Sequence, residues 1–292
     1  MSTFALFGAI EMGLIYGLVA LGVYLSFRVL QFPDLTVDGS FPLGAAVTAI
    51  LIVHQVNPWL ATLAAMLAGA VAGLVTAWLN LRLRILNLLA SILVMIALYS
   101  INLRIMGRPN VALLGEQTIL TPLQDLALPT YILTPLAFAV AVVVIKCLLD
   151  RFLNSELGLA LRATGVNPRM AQAHGIRVQF AIFLGMALSN ALVALAGALF
   201  AQAQGSADVT MGVGTIVVGL AAVIGGEALL NPRTVAWATT ACILGSLLYR
   251  LVVALALNAG LFGLQAQDLN LVTAVLVALA LVLPRLRVKG QA

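Results

Sequence analysis

Charge is what this sequence has least of. Asp, Glu, Lys and Arg make up only 9% of its residues, against about 25% in soluble domains, so a water-soluble globular fold is excluded. Histidine and cysteine occur twice each. Cys147 and Cys242 lie far apart in apolar runs and read as buried apolar thiols, and no Cys/His spacing fits a metal site. The chain has no G-x-x-x-x-G-K-[ST] phosphate loop, so it is not expected to hydrolyse ATP itself. HExxH, GxSxG and paired carboxylates on one span are also missing, which argues against an intramembrane enzyme. The first apolar run lacks a basic leader and an A-x-A site, so no cleavable signal peptide is expected.

What fills the sequence is hydrocarbon. Hydrophobic residues make up 63% of the 292 positions and the mean hydropathy is +1.12. The apolar runs are about as long as a bilayer-crossing helix needs, roughly 20 residues. They are continuous rather than alternating, which excludes a barrel, and open sheets cannot satisfy their backbone in lipid. The fold class is therefore all-α, a polytopic transmembrane bundle. About nine spans (eight to ten) are expected, near 3–27, 36–56, 58–81, 85–105, 130–149, 178–203, 212–230, 233–257 and 268–284. Longer polar connections run from about 106 to 129 and from 150 to 177.

The net charge of +5 comes from residues at the ends of these runs, so it gives orientation rather than nucleic-acid binding. With nine spans, Arg82, Arg84, Lys146, Arg151, Arg162, Arg169, Arg177, Arg233, Arg285, Arg287 and Lys289 share one side. The positive-inside rule makes that side cytoplasmic. The N-terminus is then outside and the C-terminus inside, with Arg104 and Arg108 against the trend.

A short word recurs at an offset of 174: Asp34-Leu35-Thr36 matches Asp208-Val209-Thr210, and "LVAL" at 18–21 matches "LVAL" at 192–195. Opposite sidedness of Asp34 and Asp208 would make this an inverted repeat, with 1–149 and 178–292 as its halves. Transporters place paired helix breaks beside their pathway. The polar stretch "FPDLTVDGSF" (32–41) is therefore a candidate break, with Asp34, Thr36, Asp38 and Ser40 as capping or pathway residues, and Asp208 and Thr210 as their counterparts. Asp34 or Asp38 is expected to cap the following helix. Glu227 and Arg250 are further pathway candidates. The plainer expectation pairs Glu227 with Arg233 or a neighbour and places Arg250 in an ion pair. Glu11 falls in the first span. Ser91, Asn102, Ser189, Asn190, Thr239 and Thr240 are polar positions able to face a cavity. Gly13-x-x-x-Gly17 and Gly69-x-x-x-Gly73 permit close helix packing.

In the 150–177 segment, "ELGLALRATGVNPRMAQAHGI" (156–176) reads as a short helix, a turn, and a second short helix. Asn167 is the N-cap, Pro168 the first residue of the second helix, and Gly175 its end. Two such short helices bury little by themselves and call for a partner.

This segment resembles the coupling segment of bacterial ABC-importer permeases of the branched-chain amino acid and ribose type, "G-x-x-L-R-A-x-G-x-N". The matching positions are Gly158, Leu161, Arg162, Ala163, Gly165, Asn167, Ala171, Gly175 and Ile176, with Gln172 a departure. "LTVDGSFPLGA" (35–45), "GLAAVIGGEAL" (219–229) and "GLIYGLVALGVYLSF" (13–27) resemble other segments of the family. The resemblance implies a type II importer-like permease occupying 1–292, multi-pass in the bacterial inner membrane. It implies that 156–176, from Glu156 onward, docks on a cytosolic ATPase. Two such ATPase subunits would hold ATP and magnesium, and this chain would bind no cofactor or metal. A second permease copy in a homodimer, an extracytoplasmic substrate-binding protein and membrane lipid are the other implied partners. "LTVDGSF" with "SLLYRLVVALAL" (246–257) resembles a subgroup linked to amino acid uptake, including aromatic ones. The competing function is an ion-coupled secondary transporter, which the repeat and the intramembrane charges also fit. The coupling-like segment separates the two.

Overall fold

A computed structural model describes residues 3–124 and 129–258. The chain begins with α1 (Thr3–Val23), which widens into a π-helical turn at Tyr24–Val29. There follow α2 (Val37–Val53), α3 (Pro58–Leu83), α4 (Asn87–Met106), a strand β1 (Asn110–Ala112) and a single turn, α5 (Thr121–Gln124). Next come α6 (Thr130–Leu153), α7 (Glu156–Val166), α8 (Pro168–Ala173), α9 (Val178–Gln204), β2 (Ser206–Asp208), α10 (Thr215–Leu230) and α11 (Val235–Asn258).

Among the described residues, six helical segments are long and apolar enough to cross a membrane, and Val37–Val53 and Thr215–Leu230 are shorter apolar helices. These eight fall where eight of the nine expected spans lie, while 268–284 is outside the described residues.

The local reasons for the helix boundaries are chemical. Asn57 starts α3 by accepting the Trp59 N–H at 2.9 Å, with Pro58 in the first turn, where a missing N–H costs nothing. At the far end of α4, Gly107 takes a φ of +66°, a conformation open to glycine.

α9 is the central post. Its most apolar window is 67% buried, against 28% for α4 and for α6. Small residues let its neighbours close on it. A Cβ at Gly69 would collide with the Asn190 carbonyl, and one at Gly73 with that of Met186. Gly13 and Gly17 do the same for α1 against α11, where Ser246 Oγ also donates to the Gly13 carbonyl at 2.8 Å. In lipid, where apolar burial drives little association, such close backbone approach is a main source of helix packing.

Three expectations need correcting. The fold is helical, but the 106–129 connection contributes β1, which pairs antiparallel with β2, Asn110 opposite Asp208. These three-residue strands satisfy backbone groups where the chain leaves the helices. Cys147 is exposed on α6 and only Cys242 is buried, because α6 turns most of its surface away from the bundle. The π-helical turn extends the first span to Val29.

Candidate translocation site

The break after α1 lies deep in the bundle. The π turn closes with Leu30 N–H to Leu25 O at 3.0 Å and Phe32 N–H to Ser26 O at 2.8 Å. Gln31 turns the chain with a φ of +54°. The irregular residues that follow climb back along α9. Leu30 packs on Gly185, whereas Asp34 meets Asn190, five residues or about 7.5 Å further along α9. Asn190 is near the midpoint of α9 (Val178–Gln204). α2 therefore starts inside the bundle, which is why it is short. Irregular backbone at such depth must be satisfied by protein.

It is satisfied as follows. Asp34 Oδ1 accepts the Thr36 N–H at 2.9 Å, and Asp34 Oδ2 accepts Asn190 Nδ2 at 2.8 Å. Ser40 Oγ donates to Asn190 Oδ1 at 2.7 Å, and the Thr36 and Thr76 hydroxyls meet at 2.8 Å. Asp34, Thr36, Ser40, Thr76 and Asn190 are all buried. Asp34 was expected to cap α2, but the N–H it holds is that of Thr36, the residue before the first turn, and no side chain caps α2. The fixing of Asp34 by Asn190 and the partner Thr76 were not expected, and only the listing of Asn190 as a polar position hinted at the former.

Asp38 departs from the expected role. It does not cap α2, on whose first turn it sits. It caps α10: Oδ1 accepts the Ile216 N–H at 2.7 Å and Oδ2 the Gly214 N–H at 3.3 Å. The positive ends of two helix dipoles thus converge on one carboxylate. The two short helices meet head to head, with Gly212 before α10 set against the Asp38 carbonyl.

Asp208 repeats the motif of Asp34 beyond the end of α9. Its Oδ1 accepts the Thr210 N–H at 2.7 Å and the Thr210 hydroxyl, and Asn110 Nδ2 lies 3.3 Å from Oδ2. The Thr210 hydroxyl bond, with help from its backbone N–H and from Asn110, holds this carboxyl below the usual range.

The other two charged candidates find partners different from those expected. Glu227 pairs with Arg28 of the π turn, with two contacts of 2.9 Å, not with Arg233. Arg250 has no carboxylate partner among the described residues. Its guanidinium lies 4.0 Å from the Tyr16 ring centroid, a cation–π contact. Tyr16 in turn stacks on Phe41 and abuts Phe200.

The 156–176 segment folds as the sequence indicates. Ser155 Oγ caps α7 through the Gly158 N–H at 3.4 Å. Asn167 Oδ1 accepts the Arg169 and Met170 N–H groups, each at 3.1 Å, and Pro168 opens α8. Gly175 follows with a φ of +83°. Its candidate residues divide by face. Gly158, Leu161, Gly165 and Ala171 are buried toward the bundle. Glu156, Asn167 and Gly175 are exposed, and Arg162, Ala163 and Ile176 are half-buried. Exposed Leu157, Leu159, Val166 and Met170 lie outside the motif positions. A Cβ at Gly165 would collide with the Val29 carbonyl, so α7 rests directly on the π turn.

No cluster of His, Cys, Asp or Glu able to hold a metal occurs among the described residues. A bundle with a satisfied mid-depth helix break is an arrangement that membrane transporters use. The chain belongs to the family described as "Branched-chain amino acid transport system / permease component", which matches residues 5–284. It is thus an ABC-importer permease. It is 41% identical over 265 residues to the tyrosine transport system permease protein of Clostridioides difficile, covering 90% of this chain and 86% of that one. It is 36% identical over 259 residues to an uncharacterized protein of Rickettsia prowazekii, covering 87% and 89%. In fold it resembles PsaBC from Streptococcus pneumoniae in complex with Fab, at a TM-score of 0.53 and 17% identity, covering 96% and 91% of the two chains.

Proposed function

We propose that this permease moves a small polar solute, an amino acid, into the bacterial cytoplasm as one of two identical copies. Two cytosolic ATPase subunits carrying ATP and magnesium drive it, and an extracytoplasmic binding protein supplies it. The observation that carries the reading is the α7–α8 unit. It presents Leu157, Leu159, Val166 and Met170 outward while Gly165 bears on Val29. A push on the exposed face reaches the π turn, then the segment held by Asp34, then α10 through Asp38. Nothing comparable is needed by an ion-coupled carrier. The similarity to a tyrosine transport permease favours an amino acid.

With α7 cytoplasmic, the Val29 end of α1 is inside and its Thr3 end outside. The repeat reading gains support from element positions. Val37 and Thr215 start the short helices 178 residues apart, and Pro58 and Val235 start the next ones 177 apart. α3 lies on α9 as α11 lies on α1. The halves are then 1–149 and 178–292, with 150–177 as the coupling segment.

The test is purification of the tagged chain from native membranes. An ABC-type ATPase is expected to come with it, and Met170→Glu should lose that ATPase while the permease stays folded. Absence of any ATPase from the wild-type preparation removes the reading. Gly165→Val should retain the ATPase but uncouple its hydrolysis from uptake.

A further inference from the structure

An apolar groove of about 550 Å³ runs between α3 and α4. Leu43 of α2 and Ala72 lie buried at its floor. Val71, Val75, Leu93 and Ile101 line it and are themselves exposed, so it opens to the surroundings of the bundle. Along α4 its lining runs from Leu93 to Ile105, about 18 Å of helix. One leaflet of hydrocarbon is about 15 Å deep, and a crossing helix needs about 30 Å. The groove therefore has the length of one acyl chain and is too short a track for a further span.

One end of the groove carries charge. Val71, Val75, Leu79 and Arg82 follow one another at helical spacing, so Arg82 continues the groove side of α3 by one turn. Arg84 ends the helix, and both arginines are exposed. Neither has a carboxylate partner among the described residues. The chain holds no Asp or Glu between Asp38 and Glu116, so the α3–α4 hairpin has no counter-ion of its own. Arg84 takes a φ of +56°, a conformation that favours glycine. Asn80 fixes the turn: its Nδ2 donates to the Ile85 carbonyl at 2.8 Å and to Asn87 Oδ1 at 2.5 Å. Strain of this kind persists where the surroundings impose it, and it gathers at sites that do something. The end of the bundle is also defined. Gly69 lies against Asn190 and Gly73 against Met186, so α3 runs antiparallel to α9. The 84–86 turn is thus at the α7–α8 end.

We propose that this groove is a site for an anionic phospholipid, with one acyl chain between α3 and α4 and the phosphate on Arg82 and Arg84, in the leaflet on the α7–α8 side. A guanidinium gives two parallel N–H bonds to phosphate oxygens. Basic pockets between spans are a general means of holding lipid headgroups. The unmatched positive charge selects a lipid with net negative charge over a zwitterionic one. The proposal goes beyond the importer reading and needs neither an ATPase nor a transported solute.

The experiment uses the purified full-length permease in a neutral detergent. It is offered equal amounts of phosphatidylglycerol and phosphatidylcholine with the same acyl chains, and native mass spectrometry counts the lipids that stay bound. The parent should retain phosphatidylglycerol in preference, by about fivefold for each arginine and about 25-fold for the pair. Arg82→Gln combined with Arg84→Gly should bring the preference close to parity. Glycine suits the φ at position 84, so the turn and the melting temperature should be kept. Ala97→Phe, at an exposed position in the groove, should lower the retention of both lipids. The inference is overturned if the parent shows no preference, if the double variant keeps it, or if Ala97→Phe leaves retention unchanged. In the last case, loss of a dimer in the same variant would give the groove to a second copy of the chain. A failure here combined with a copurifying ATPase removes the lipid site and leaves the importer reading standing.

Discussion

The two D-x-T segments make the same local hydrogen bond in different surroundings. In each, the aspartate Oδ1 accepts the N–H two residues on, from Thr36 in one and Thr210 in the other. Asp34 is 2% exposed and its second oxygen is taken by Asn190, a residue of the central helix. Asp208 lies beyond the helix ends, and its second oxygen faces Asn110 on the neighbouring strand. An identical turn therefore plays two roles. At depth it satisfies backbone that lipid and apolar side chains would leave bare. Outside, water is available to do the same, and the turn only shapes the approach to α10.

The largest expected effect separates the two directly. Asp34→Leu leaves the Thr36 N–H and an Asn190 N–H buried without acceptors. Each costs about 1–3 kcal/mol, so the purified permease should lose much of its thermal stability. Asp208→Leu should cost under about 1 kcal/mol, because water replaces the lost acceptor. Equal losses in a melting experiment would break the comparison. Asp34→Asn sharpens it: one oxygen still accepts from Thr36, and a flipped Asn190 amide can receive the new N–H, giving up its bond to the Met186 carbonyl. The expected loss is about 1 kcal/mol, with transport retained. Abolished transport in a stable Asp34→Asn protein would show that the carboxylate charge, not the turn it holds, matters.

A middle-sized effect is expected at the junction. Asp38→Ala frees the Gly214 and Ile216 N–H groups, at a cost of about 1–2 kcal/mol, typical of a lost N-cap. Hydrogen exchange should quicken over 212–218 and stay slow over 43–50. Faster exchange confined to α2 would place the cap where the sequence alone suggested it.

The smallest effect is a pH dependence at Asp208. Its folded pKa lies below the ordinary 3.8, chiefly through the Thr210 hydroxyl. The unfolded chain therefore binds the proton first. The stabilisation from this group is full above the unfolded pKa and is lost as pH falls through the depressed folded value. Parent and Asp208→Asn should differ in melting temperature at pH 6, and that difference should shrink toward pH 3. A difference that grows on acidification has the wrong sign for this arrangement.

Much of this was legible in the sequence, where the cause is local. Asn167 and Pro168 start α8 because an amide oxygen two and three residues back reaches free N–H groups, whatever the rest of the chain does. The glycine pairs at 13/17 and 69/73 did turn out to be contact faces. The pairing of Glu227 was less legible. Arg233 is near in sequence, but Arg28, 199 positions away, holds it. Asp38 likewise reaches across 178 positions to Ile216.

By itself the sequence determined the class of protein, because hydropathy over a run of residues decides whether that run can enter lipid. It also determined the turns, because a short polar side chain bonds within two or three residues of itself. Only the tertiary structure decided which aspartate is buried and which helix Asp38 caps. Those outcomes depend on which helices are adjacent and at what depth they cross. Adjacency is set by close contacts of small residues spread over the whole chain, which no local stretch encodes.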